Sequence, residues 1–103
     1  MTTYLIDVTY NADAWAAWIR TPHSCAPKIE ALLTNLRGRL IGFWWANAGF
    51  DSLLLVELPD AAALLTFRAY AASMGGIDTV RAVPLLSDQE GVAAMASAGA
   101  HSQ

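Results

Sequence analysis

The 103 residues, with a formal net charge of −3, describe one small domain with no room for a second core. Hydrophobic residues make up 55% of the chain and charged residues 15%, against roughly 25% charged in ordinary globular proteins, so self-association is expected to hide the apolar surplus. Nine acidic against six basic residues, with no Lys/Arg cluster, exclude the phosphate-neutralising surface that DNA or RNA binding requires. Cys25 is the only cysteine, which excludes an internal disulfide and a thiolate-based zinc site. The two histidines and the scattered carboxylates show no ligand spacing and no Gly-rich phosphate loop is present, so neither metal nor cofactor is expected. The opening Met1-Thr2-Thr3-Tyr4 lacks a basic n-region, and no apolar run approaches the ~20 residues that span a bilayer. The expectation is a cytoplasmic protein without membrane contact.

Tyr4 to Tyr10 alternates, with Tyr4, Ile6, Val8 and Tyr10 on one face and Leu5, Asp7 and Thr9 on the other, as a strand does. Asn11 then caps a short helix in which Trp15, Trp18 and Ile19 recur at helical spacing, and Pro22 stops it. After a loop through His23 and Cys25, Pro27 opens a second helix with the stripe Ile29, Leu32, Leu33 and Leu36, and Gly38 is expected to stop it. From Arg39 to Asn47 a strand sets Ile41, Phe43 and Trp45 against Leu40, Gly42, Trp44 and Ala46, so both faces are apolar. Asn47-Ala48-Gly49-Phe50 reads as a hairpin turn and Asp51 to Leu58 as a third strand. A helix over Asp60 to Met74 ends at Gly75-Gly76, and a fourth strand, Ile77 to Val83, is expected to close before Pro84. Ser87 and Glu90 match a capping box for a short terminal helix carrying Val92 and Met95, with residues 99–103 as a frayed tail beyond a 1–98 domain.

The order β, α, β, β, α, β with a helical extension is the ferredoxin-like α+β arrangement, a four-stranded antiparallel sheet with helices on one face. Its other face would be apolar too, because Trp44 and Trp45 send one indole to each side. Two such sheets packed face to face, a dimeric α/β-barrel, would bury the surplus and enclose a space.

Residues 44 to 60 combine an aromatic strand, Ala48-Gly49-Phe50-Asp51, an apolar strand and Glu57-Leu58-Pro59-Asp60, and Thr79-Val80-Arg81-Ala82 follows on the last strand. The chain resembles the GYD domain family of small bacterial and archaeal proteins in these features. Ala48 replaces the family's first Gly and Phe50 its Tyr, so the phenolic hydroxyl is missing. The resemblance implies a ferredoxin-like fold and oligomerisation.

Asp7 and Arg81 sit in the middle of apolar strands, where a charge is costly unless paired or solvated. A structural salt bridge is one reading; the other makes Asp7 a general base and Arg81 an anchor for an enolate or phenolate. His23 could shuttle a proton at the mouth of a pocket, although Cys25, two residues away, is badly spaced to be its nucleophile. Thr9, Trp44, Trp45, Asn47 and Phe50 are the expected substrate contacts. Asp51, Glu57 and Asp60 read as framework residues at a turn, a strand end and a helix cap. The function expected from these residues is a homo-oligomer with a largely apolar pocket for a small aromatic or polycyclic molecule. Its catalytic version is a cofactor-independent isomerase, cyclase or monooxygenase; the alternative is a non-catalytic binding or assembly module.

Overall fold

The computed structural model describes residues 1–101, and the end of the expected tail, residues 102–103, lies outside the described residues. Eight elements follow one another: β1 (Thr2–Tyr10), α1 (Ala12–Arg20), α2 (Ala26–Asn35), β2 (Arg39–Trp45), β3 (Ser52–Leu58), α3 (Ala61–Ser73), β4 (Ile77–Leu85) and α4 (Asp88–His101). The strands form one antiparallel sheet in the order β2-β3-β1-β4, the ferredoxin-like order.

Alternation on β1 and β3 creates two faces. Tyr4, Ile6 and Val8 with Leu54, Val56 and Leu58 point to the helices, where Leu33 of α2 and Phe67 of α3 close the core. Ile6, Leu33, Val56 and Leu58 are fully covered, and each such side chain contributes about 1.5–3 kcal/mol by leaving water.

Three local features differ from the sequence reading. A bulge at Ile41 shifts the register, so Leu40 pairs with Val56 while Phe43 pairs with Leu54. Leu40, Phe43 and Trp45 therefore share the helix-covered face, and Ile41 is displaced from it. β4 runs through Pro84 to Leu85, because it is an edge strand and Pro84, opposite Tyr4, needs no outward donor. The turn that ends α2 places Arg37, not Gly38, in the left-handed region (φ 63°). The Gly38 and Arg37 amides bond back to the Leu33 and Thr34 carbonyls at 2.8 and 3.0 Å, a Schellman closure. Gly38 is needed instead because a Cβ there would collide with the Glu57 carbonyl.

Asn11 caps α1 by accepting from the Ala14 N–H at 3.0 Å, and Asp60 caps α3 through the Ala63 N–H at 2.9 Å. The capping box at α4 is present in both directions: Ser87 N–H to Glu90 Oε1 and Glu90 N–H to Ser87 Oγ, each 3.0 Å. α4 stays helical through His101, past the expected start of fraying, yet none of its residues is buried. The molecule measures 61 × 31 × 20 Å. No helix among the described residues is long and apolar enough to cross a membrane.

Candidate functional site

Under the helices, the end of β1 and the start of α1 assemble an aromatic group. The capped start of α1 places Trp15 and Trp18 one turn apart, with ring centres 5.6 Å from each other, and Tyr10 meets Trp18 edge-on at 4.7 Å. Trp45 reaches the same group from β2, 5.4 Å from Trp18 and 5.2 Å from Phe43. Edge-to-face rings of this kind hold one another in fixed orientations. The Tyr10 hydroxyl lies 2.8 Å from Ser52 Oγ, a fully buried oxygen, so each satisfies the other. Burial holds the Tyr10 phenol above its ordinary value, although the Ser52 bond pulls the other way.

Beside this group, between the sheet and helices α1, α2 and α3, lies a cavity of about 160 Å³. Tyr10, Trp18, Leu32, Phe67 and Ile77 form its apolar walls, Cys25 adds a thiol, and Lys28 is the only charged residue that lines it among the described residues. Burial pushes the Cys25 thiol up, which reduces its thiolate fraction and its reactivity. A second, more open depression of about 290 Å³ lies between α3 and β4, beside Arg68 and Asp78.

The opposite face of the sheet is bare. Trp44, Leu53, Asp7 and Arg81 are consecutive register partners and cross all four strands in one row. Arg81 grips Asp7 with two bonds, Nε to Oδ1 and Nη2 to Oδ2, both 3.1 Å. Asp7 is 6% exposed although it lies on this uncovered face, because the guanidinium covers it while staying in solvent. The bonds to Asp7 raise the Arg81 pKa further above its ordinary value. In the neighbouring row, Gly42, Leu55, Leu5 and Val83 are partners, and the Trp44 indole lies over Gly42 where a Cβ would collide with it. Thr9 and Thr79 hydroxyls bond to each other on the same face.

The residues singled out from the sequence thus divide. Asp7, Thr9, Trp44 and Arg81 share the bare face; Trp45 belongs to the helix-side aromatic group. Asn47 is exposed in the turn and Phe50 is half-buried beside it, and neither lines the cavity. His23 is exposed, with Nδ1 2.8 Å from the Thr21 carbonyl. Of the His23-Cys25 pair only Cys25 reaches the cavity wall. Asp51 has the framework role: its carboxylate accepts from the Tyr10 N–H at 2.9 Å, and its own N–H donates to the Val8 carbonyl at 2.9 Å. Sequence reasoning missed Tyr10, Trp18, Lys28, Phe67 and Tyr70 as lining residues. The one available signal was the Trp15/Trp18 spacing directly after an apolar strand. Among the described residues, no group of three His, Cys, Asp or Glu side chains could hold a metal ion.

No protein-family model matches the chain, and no curated protein matches it. Solved structures do. MtbAldR superposes with a TM-score of 0.59 at 15% identity, over 84% of this chain and 54% of that one, so the chain spans about half the length of MtbAldR. FFRP-DM1 gives 0.53 at 14% identity, over 84% of this chain and 100% of that one. TTHA0845 from Thermus thermophilus gives 0.55 at 12% identity, over 84% and 95%. At these identities the likeness shows the fold, and the fold is a ferredoxin-like α+β domain.

Proposed function

We propose that the chain is a homo-oligomeric small-molecule-binding protein, in which a second copy covers the bare sheet face and the cavity beneath the helices takes a small apolar or aromatic molecule. The cavity carries this reading. A space of about 160 Å³ with almost wholly apolar walls is close in size to engineered apolar cavities of about 150 Å³ that bind benzene. The assembly half rests on two neighbouring rows of the bare face, which bring Trp44, Leu53, Leu55, Leu5 and Val83 together as an apolar patch beside the Asp7–Arg81 pair. The resemblance to the GYD domain family, with the oligomerisation it implies, and the dimeric α/β-barrel expected from a sheet apolar on both faces belong to the same proposal. The unburied α4 adds apolar surface, Val92 and Met95, that assembly would cover.

Non-catalytic binding is favoured in this cavity, since its lining contains no carboxylate or imidazole to move a proton among the described residues and the Cys25 thiol is pushed up by burial. A cofactor-independent proton-transfer reaction would instead run in a chamber between two sheet faces, where Asp7, Arg81, Thr9 and Trp44 come together. The buried Asp7 carboxylate under its Arg81 clamp supports that second reading. Titration of toluene against the intrinsic tryptophan fluorescence tests the first. Saturable quenching in the wild type, lost in Ala71→Leu and in Ala14→Leu, is the expected result; unsaturable quenching in all three proteins would sink the cavity as a site. Asp7→Asn and Arg81→Met separate the second: loss of stability alone marks a structural salt bridge, whereas loss of binding in a folded protein marks a site.

A further inference from the structure

The cavity is open to solvent where exposed residues enter its lining, at Lys28 on α2, at Tyr70 on α3 and at Met74 just past the end of α3. The Lys28 ammonium makes no hydrogen bond or ion pair with any described residue, and the Tyr70 hydroxyl likewise has no partner among them. Both are donors. The first turn of α2 contains no acidic residue, so its positive end is not neutralised from within. The inner end of the cavity is different: the Tyr10 hydroxyl is already engaged with Ser52, and the remaining inner walls, Val8, Leu54 and Phe67, offer only carbon. A polar group placed there would be stranded, at a cost of about 1–3 kcal/mol. The ligand that uses both ends of the cavity is therefore apolar at one end and anionic at the other.

Size narrows the class further. About 160 Å³ accommodates one six-membered ring, and the aromatic lining of Tyr10, Trp18 and Phe67 suits a flat ring better than a branched chain. Taking the cavity as the ligand site, we propose that it binds a monocyclic aromatic carboxylate, ring inward against Tyr10, Trp18 and Phe67, with the carboxylate at the mouth beside Lys28 and Tyr70. Lys28 sets the preference for the anion and the walls set the affinity for the ring.

Benzoate, benzamide and acetate separate these contributions, since benzamide keeps the ring without the charge and acetate keeps the charge without the ring. Binding is followed by tryptophan fluorescence and by ligand-observed NMR on the full chain, with Lys28→Met as the diagnostic variant. Benzoate is expected to bind about fivefold more tightly than benzamide, a margin in the range of a partly exposed ion pair, and acetate is expected not to bind. Lys28→Met should erase that margin by weakening benzoate more than benzamide. Lys28 is an exposed helix residue, so the variant will fold, which thermal unfolding checks. Equal affinity for benzoate and benzamide in the wild type, or a margin that survives Lys28→Met, overturns the anion assignment while the cavity remains a site. Failure of both ring compounds to bind overturns the cavity reading and this inference with it.

Discussion

Trp44 and Trp45 are neighbours in sequence, half exposed to a similar degree at 53% and 50%, and assigned to opposite faces of the sheet. Each has already buried about half its area, so their alanine variants should differ in association rather than in the stability of a single copy. Trp44 has roughly 130 Å² still to bury, taking about 250 Å² for a fully covered tryptophan. At ~25 cal/mol per Å² that is about 3 kcal/mol per copy if a partner covers it completely. Contributed from both sides of a symmetric pair, even half of the total would weaken association by at least a hundredfold in Trp44→Ala. Trp45 has buried a comparable area already, against Tyr10, Trp18 and Phe43. Trp45→Ala is expected to cost about 3 kcal/mol of folding stability and so lower Tm by more than about 10 °C in a domain of this size. Sedimentation velocity over a concentration series reads the first effect, and thermal unfolding over the same series reads the second. Both variants should lower Tm at every concentration, but only Trp44→Ala should also shift the protein toward monomer. The reasoning is refuted if the two phenotypes are exchanged, or if Trp44→Ala associates as the wild type does.

Three further outcomes follow from single residues. Burial raises the Tyr10 phenol above its ordinary 10.0, so above that pH the unfolded chain releases a proton that the folded state keeps. Stability is therefore constant below pH 10 on this account and falls as pH rises through it. Urea unfolding in a Cys25→Ala background, which removes the other raised group, should show this slope, and Tyr10→Phe should flatten it. Cys25 itself should react with iodoacetamide at pH 8 more slowly than a cysteine in a short peptide, with denaturant restoring the peptide rate. Gly38→Ala forces a Cβ against the Glu57 carbonyl and should cost about 1–3 kcal/mol by urea unfolding, more than the same change at Gly91, where nothing lies within 4 Å.

The fold was legible because local and global signals agree. Strict alternation on β1, the capping residues Asn11 and Ser87, and the Leu stripe of α2 each admit one element type, and their order leaves few topologies. The misreadings have a common physical origin, in that each depends on a contact between segments distant in sequence. The bulge at Ile41 is set by pairing to β3, the role of Gly38 by the Glu57 carbonyl on β3, and the tolerance of Pro84 by the edge position of β4. The candidate site was harder for the same reason. Asp7 and Arg81 could be paired because the strand order implies their adjacency. Lys28, Phe67 and Tyr70 are separated by whole elements and each reads as an ordinary helix residue until α2 and α3 are laid on the sheet.

Placing the cavity and the assembly surface on opposite sides of one sheet gives them separate side chains. Leu5, Leu53 and Leu55 face one way; Tyr4, Ile6, Val8 and Leu54 face the other, and each strand shares only backbone between the two. Coupling between two ligands is a difference in interaction between states and is reciprocal, so with no residue common to both surfaces it should be small. If the proposed dimer forms through this face, Trp44→Ala removes the partner and is accordingly expected to leave benzoate affinity within about twofold of wild type, as read by the same fluorescence titration at equal protein concentration. A chamber between two sheet faces demands the opposite, since a monomer has no such chamber and its binding would vanish. An affinity that collapses with the dimer would move the site to the Asp7–Arg81 face and restore those residues as candidates for chemistry. An affinity indifferent to assembly would leave them as the ion pair that allows a carboxylate to sit in the middle of an apolar sheet.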